Sequence, residues 1–107
     1  MAKFLVTVSY TEAGVKGVRK DGGTQREHVV RLAIEGLGGK LDGFYFALGS
    51  DDVIVIADLP DAVSAIALSV AVGASGAARC RTTPLFTAAD MDKAVSKTTA
   101  YRAPGVD

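Results

Sequence analysis

The side chains of this 107-residue sequence that could do chemistry are few and widely separated. His28 is its one histidine and Cys80 its one cysteine. A histidine transfers protons near neutral pH, and the cations of Arg79 and Arg81 would lower the pKa of a neighbouring thiol. The sequence contains no second histidine that could act as a base for either reaction. We therefore expect an exposed or capping role for His28 and a buried structural role for Cys80.

Two adjacent carboxylates, Asp51 and Asp52, lie between apolar segments and are typical of a turn. One histidine and one cysteine are too few for a usual structural zinc site, so we expect no metal and no cofactor. Gly14 and Gly17 flank Lys16 in a Gly-x-x-Gly pattern that some nucleic-acid-binding modules use. However, the 12 basic and 12 acidic residues cancel, which speaks against a nucleic-acid partner.

Polar side chains gather at the end of the first apolar segment and on positions expected to neighbour it. We hypothesise that these residues line a small-ligand pocket, which would hold a mostly apolar molecule through a few polar groups. The alternative is that they satisfy one another and the backbone at a subunit contact. The residues of this hypothesis are Ser9, Tyr10, Thr11, Lys16, Tyr45, Arg81 and Thr83.

Four segments have the composition of strands, at residues 3–10, 40–48, 53–59 and 78–85. The second is expected to place Phe44 and Phe46 on one face and Tyr45 on the other. The third is almost continuously apolar, which predicts cover on both faces. Pro84 cannot donate a hydrogen bond to a sheet ladder, so the fourth strand is predicted at an edge.

Helices are predicted between these strands and after them. Residues 11–20 contain two glycines and predict a short helical turn. Three capping patterns predict the main helices: Thr24 with Glu27, then Asp58 or Asp61, then Thr87 with Asp90. Glycines 38 and 39 end the first of these helices. The residues expected to face inward are Val63, Ile66, Ala67 and Val70 in the second, and Met91, Ala94 and Val95 in the third.

The element order is strand, helix, strand, strand, helix, strand, followed by a C-terminal helix. This order predicts an α+β, ferredoxin-like βαββαβ domain with a four-stranded antiparallel sheet, its first and third strands central. We expect one domain over residues 1–100 and a tail over residues 101–107. No segment has the length of a membrane span or the pattern of a signal peptide, so we expect a cytoplasmic protein without a membrane partner.

Both crossover helices of this topology cover the same face of the sheet, so the other face needs a cover. Its residues are expected to be largely apolar or aromatic, and leaving each in water would forfeit about 1.5–3 kcal/mol. We therefore expect the chain to pair with itself as a homodimer or higher oligomer.

The sequence resembles the GYD-domain family, small bacterial proteins of the dimeric α/β barrel type. The motif that names the family falls on Gly49 and Asp52, but Asp51 occupies the tyrosine position, so no role of that ring carries over. The resemblance implies two sheets packed face to face and implies no reaction. The other residues that carry it are Ser9, Tyr10, Thr11, Gly14, Gly38, Gly39, Lys40, Leu41, Phe44, Tyr45, Arg81, Thr82, Thr83, Phe86 and Thr87.

Two functions remain open from the sequence. The first is a homo-oligomeric small-ligand-binding or assembly module without catalysis. The alternative is a cofactor-free small enzyme of the monooxygenase or isomerase type, with a pocket between sheet and helices. That alternative rests on fold analogy alone.

Overall fold

The computed structural model describes residues 1–106. Within them the chain forms four strands and four helices, in the order predicted from the sequence with one additional helix after the first strand. The elements are β1 (Ala2–Tyr10), α1 (Glu12–Asp21), α2 (Gly23–Gly36), β2 (Lys40–Phe46), β3 (Val53–Leu59), α3 (Ala62–Ala74), β4 (Ala78–Leu85) and α4 (Ala88–Val95).

The four strands form one antiparallel sheet in the order β2-β3-β1-β4. This order confirms the ferredoxin-like prediction, with β1 and β3 central. Strand β4 lies at an edge, as predicted from Pro84, which has no backbone N–H to give to a sheet ladder. Helix α2 packs on β2 and α3 packs on β4, and Ile34 of α2 and Leu68 of α3 join one core, so both crossovers cover the same face of the open sheet.

The core lies between this face and the helices, because alternate residues of the central strands point toward it. Phe4 and Val6 of β1 are buried there against Val55 of β3. Ile34 of α2 and Leu59 of β3 have no exposed surface. Along β3 the residues alternate between buried and half-buried, so within one chain only one face of this strand is fully covered.

The first crossover differs from its prediction. Residues 12–21 form a full helix, because Thr11 caps α1 by accepting a hydrogen bond from the amide of Gly14 at 3.2 Å. The capping box predicted for Thr24 and Glu27 was wrong, since α2 begins directly after α1 and takes Gly22 as its N-cap without a side-chain bond. Gly22 has φ +81° and turns the chain between the two helices.

The inward stripe predicted for α3 was wrong in its phase. Ala65 and Leu68 are the buried residues of this helix, whereas Val63, Ile66 and Val70 are 61–72% exposed. Because α3 is apolar on all sides, its sequence did not show which stripe faces the sheet. Asp61 caps the helix as one of the two expected candidates, accepting from the amide of Ser64 at 2.8 Å.

The last helix has the predicted capping box of Thr87 and Asp90 but not the predicted packing. Met91, Ala94 and Val95 do not face inward, and every residue of α4 is exposed. None of the helices within residues 1–106 has both the length and the apolar character needed to span a bilayer.

Candidate functional site

A cavity of about 130 Å³ lies between α2 and the helix-covered face of the sheet. We call it the α2 cavity. Tyr10 and Arg26 supply the two polar side chains of its lining, and all other lining side chains are apolar. The apolar residues are Val6, Val8, Val29, Val30, Ala33, Phe44, Val53, Val55, Leu68, Val72 and Ala78.

Tyr10 is held at the cavity by its own backbone. It is the last residue of β1, and its amide donates a hydrogen bond of 2.8 Å to the Asp52 carboxylate. The amide of Asp52 in turn donates to the Val8 carbonyl at 2.8 Å. Asp52 therefore ties the hairpin between β2 and β3 to the end of β1, which gives this family-motif aspartate a structural role.

The phenol of Tyr10 and the guanidinium of Arg26 lie together at the cavity. Burial raises the pKa of the Tyr10 hydroxyl above its ordinary value of 10.0, and the Arg26 cation partly offsets this rise. The phenol is therefore neutral at physiological pH and able to donate a hydrogen bond. Arg26 also lies 3.8 Å from the Asp21 carboxylate. A small acceptor group entering the cavity would meet two donors.

Helix α1 packs beside Tyr10 and depends on a close backbone approach. Gly14 is buried, and a methyl group there would lie 1.9 Å from the Ala77 carbonyl oxygen and 2.9 Å from the Tyr10 ring. The same Ala77 carbonyl accepts a 2.9 Å bond from the Thr11 amide. Thr11 and Gly14 thus fix α1 against the segment before β4.

The seven residues of the sequence hypothesis do not form one pocket. Tyr10 lines the α2 cavity, whereas Thr11 caps α1 with its hydroxyl and donates a 2.8 Å bond to the Gly76 carbonyl. Lys16 is exposed on α1 and pairs with Glu12 at 3.2 Å.

The remaining four, Ser9, Tyr45, Arg81 and Thr83, belong to the opposite face of the sheet, which we call the helix-free face. Tyr45 and Arg81 share a row across the sheet but are separated by two strands, or about 14 Å. Ser9 pairs with Arg79 and not with Arg81.

The helix-free face is less apolar than predicted. A central patch of Leu5, Ile54, Ile56 and Tyr45 is apolar or aromatic, and charged groups occupy both ends of the strands. The other residues of the face are Lys3, Thr7, Ser9, Lys40, Asp42, Gly43, Asp58, Arg79, Arg81, Thr83 and Leu85.

Ion pairs hold the two ends of this face. Lys3 contacts both Asp42 and Asp58, and hydrogen bonds to these carboxylates raise the pKa of Lys3, while the bond from Lys3 lowers that of Asp42. At the other end Arg81 donates to both oxygens of Asp51 at 2.8 and 2.9 Å. The aspartate at the family's tyrosine position thus anchors an edge-strand arginine.

Arg26 is the site residue that the sequence analysis missed. It precedes the apolar stripe of α2 at Val29, Val30 and Ala33, which are three, four and seven residues away, and so shares their side of the helix. That spacing was a usable signal, but it is also typical of an ordinary surface arginine. His28 is exposed, as expected.

Cys80 is partly buried, and its thiol lies 3.4 Å from the Ser69 hydroxyl. Across residues 1–106, no three His, Cys, Asp or Glu side chains are grouped so that they could hold a metal ion.

The comparison with known proteins agrees with the resemblance found in the sequence. The family model described as the GYD domain matches residues 4–95. This range includes all four helices and all four strands, except for the first two residues of β1. No curated protein and no solved structure gives a significant match. The chain belongs to the GYD-domain family.

Proposed function

We propose that this protein is a homo-oligomeric binding module that takes a small, mostly apolar molecule into the α2 cavity. The observation that carries the proposal is the pairing of two donors, Tyr10 and Arg26, with an otherwise apolar lining. Pockets that bind small molecules combine apolar walls with a few polar groups in this way.

The size of the cavity sets the size of the ligand. Its volume of about 130 Å³ is below the roughly 300–1,000 Å³ of sites for drug-sized ligands and near the about 150 Å³ of an apolar cavity that holds benzene. The chemistry and the size together favour a ring-sized molecule that carries a carboxylate or another hydrogen-bond acceptor.

Binding is favoured over catalysis by the groups that face the cavity. The raised pKa of Tyr10 keeps its hydroxyl protonated, and a guanidinium does not lose its proton in proteins. Neither side chain can take a proton from a ligand at neutral pH, which the cofactor-free enzyme of the alternative would require of a base. Both suit the recognition of an acceptor.

Self-association is supported by the central patch of the helix-free face. Leu5, Ile54 and Ile56 are half-buried at the middle of this face, where a second sheet would cover them. Light scattering at micromolar concentration tests this part: we expect a mass of two or more chains. Ile56→Lys should lower that mass, whereas Leu32→Lys, which changes an exposed residue of α2, should leave it unchanged.

Ligand binding is tested by thermal shift with benzoate, hexanoate and uncharged benzyl alcohol. We expect the carboxylates to raise the melting temperature of the wild-type protein with concentration, because they bind the folded state. Arg26→Gln should reduce this rise. The matched control is Arg31→Gln on the same helix, which pairs with Glu27 outside the cavity and should respond like wild type.

A second variant separates loss of binding from loss of folding. Ala33→Leu adds apolar volume at a residue of the cavity lining that is exposed, so the fold can accommodate it. We expect it to melt at or above the wild-type temperature and to respond weakly to benzoate. Equal responses of wild type, Arg26→Gln and Ala33→Leu would overturn the assignment of the α2 cavity.

A further inference from the structure

The C-terminal arm, residues 86–106, leaves the body of its own chain. Every residue of the arm is exposed, including Phe86 at 76%, Met91 at 60%, Val95 at 74% and Tyr101 at 77%. The molecule is 60 Å long but only 32 and 23 Å across. Together with Val106 these are five large apolar side chains on an extended arm, which is unusual for an isolated chain because exposed apolar groups gather where a partner binds.

The apolar residues of α4 and the exposed residues of α3 have the same spacing. On α4 the stripe is Ala88, Met91 and Val95, at positions i, i+3 and i+7. On α3 the stripe is Val63, Ile66 and Val70, again at i, i+3 and i+7. This is the spacing of residues that form a packing seam between two helices, and each stripe is about 10 Å long.

A groove beside α3 offers further room. It has a volume of about 610 Å³, and its walls are Ile66 and Val70 of α3 and Thr82 and Pro84 of the edge strand β4. Helix α3 carries no charged residue from Ala62 to Ala74, so a helix packed along it would meet no unpaired charge.

The arm is poorly placed to reach the α3 stripe of its own chain. Only Phe86 and Thr87 separate the end of β4 from the start of α4. The capping box fixes where α4 begins, since Thr87 and Asp90 exchange two hydrogen bonds of 3.0 Å. In its own chain α4 leaves the body at Phe86, which is 76% exposed, whereas a second copy can approach the arm where it lies. Short hinges favour exchange between copies, because a short connection limits how far an element can fold back onto its own chain.

We propose that two copies of this protein exchange their C-terminal arms, with α4 of each packed along α3 of the other. This inference rests on the homo-oligomer proposed above. The exchange also enlarges the interface: a stable dimer buries about 1,200–2,000 Å² with roughly 20–30 residues a side, and the central patch of the helix-free face supplies only a few of these. Because the exchange is reciprocal, a dimer with a two-fold axis packs each arm against one α3 stripe and leaves no arm and no stripe uncovered.

Site-specific cross-linking tests the exchange. All variants carry Cys80→Ser, so that each added cysteine is the only one. One variant carries Ile66→Cys, and the other carries Met91→Cys with an affinity tag. The two variants are co-expressed in the same cells, and the purified protein is treated with a short bismaleimide. We expect a product with the mass of two chains that contains both variants. Leu32→Cys in place of Ile66→Cys is the control and should give no such product.

Intramolecular packing is tested with both cysteines in one chain. A modified species at the mass of a single chain, with positions 66 and 91 joined, would overturn the exchange, because α4 would then lie on its own α3.

Charge substitution tests the energetic role of the arm. Met91→Asp places an acid in the α4 stripe, and Ala89→Asp places the same acid on the same helix away from the stripe. We expect Met91→Asp to increase the dissociation constant of the oligomer at least tenfold by sedimentation, and Ala89→Asp to leave it near the wild-type value. Equal effects of the two variants would contradict the proposal.

The failure of this inference can be told apart from failure of the proposed function. A wild-type monomer at micromolar concentration would remove both the self-association and the exchange. A wild-type oligomer without the 66–91 cross-link would remove the exchange alone, and the benzoate titration would stand or fall independently.

Discussion

Gly14 and Gly17 lie one turn apart on α1, and alanine at these two positions should have opposite effects on stability. Alanine forms helix more readily than glycine by up to about 1 kcal/mol, so propensity alone predicts a gain at both. At Gly17 nothing lies within 4 Å of an added methyl group. At Gly14 the methyl would lie 1.9 Å from the Ala77 carbonyl oxygen, where an ordinary contact begins at 3.4 Å.

The size of the loss at Gly14 follows from this contact. The methyl and the Ala77 carbonyl must move apart by about 1.5 Å, the difference between 3.4 and 1.9 Å. The same carbonyl accepts a 2.9 Å bond from the Thr11 amide and, at 3.1 Å, shares the proton of the Thr11 hydroxyl with the Gly76 carbonyl; the movement stretches both contacts. Overpacking costs about 1–3 kcal/mol and each lost bond about 0.5–1.5 kcal/mol.

After the gain in propensity, Gly14→Ala should lower the free energy of unfolding by about 3 kcal/mol. Gly17→Ala should raise it by about 0.5–1 kcal/mol. Urea unfolding followed by circular dichroism measures both values. The Tyr10 ring also lies within 2.9 Å of the added methyl, so Gly14→Ala should weaken the benzoate response as well. A Gly14→Ala protein as stable as wild type would refute the reasoning.

Two further predictions concern the surroundings of the cavity. Because burial raises the pKa of Tyr10, its folded state prefers the neutral phenol, so its contribution to stability is present below pH 10 and is lost as the pH rises through the raised pKa. Between pH 9 and 11, urea unfolding should show a smaller decline in the free energy of unfolding for Tyr10→Phe than for wild type. The exposed Tyr45→Phe is the control. If the free energy of unfolding of Tyr10→Phe and of wild type declined equally with pH, this would contradict the burial of the phenol. Asp52→Ala leaves the part-buried Tyr10 amide without its acceptor and should cost about 1–3 kcal/mol in the same assay. Asp51→Ala removes a pair in which Arg81 is 73% exposed and should cost under about 1 kcal/mol; a larger loss from Asp51→Ala than from Asp52→Ala would reverse the assigned roles.

The sequence by itself determined the strands, their order and the starts of the last two helices, because these depend on local signals. The bounds of β3 and β4 agree with the predicted segments, and Pro84 marked the edge strand. Asp61, Thr87 and Asp90 cap their helices as the residue types indicated, since capping bonds join residues only three positions apart. The family was also evident from short motifs along the chain.

Only the tertiary structure decided which surfaces of these elements meet. Helix α3 is apolar on every side, so its sequence was equally compatible with burying Val63 or Leu68, and packing against the sheet selected Leu68. Met91 and Val95 have the periodicity of a core stripe, yet the two-residue connection after β4 directs α4 away from the body.

The composition of the candidate site could not be predicted from the sequence for a related reason. Ser9, Tyr10 and Thr11 are consecutive, but alternation sends Ser9 to the helix-free face and Tyr10 to the α2 cavity, while Thr11 caps α1. The partner of Tyr10 is Arg26, sixteen positions later on a different element. Local signals set the ends of elements, whereas a pocket is a contact between elements, and its composition depends on the rotation of each helix about its axis.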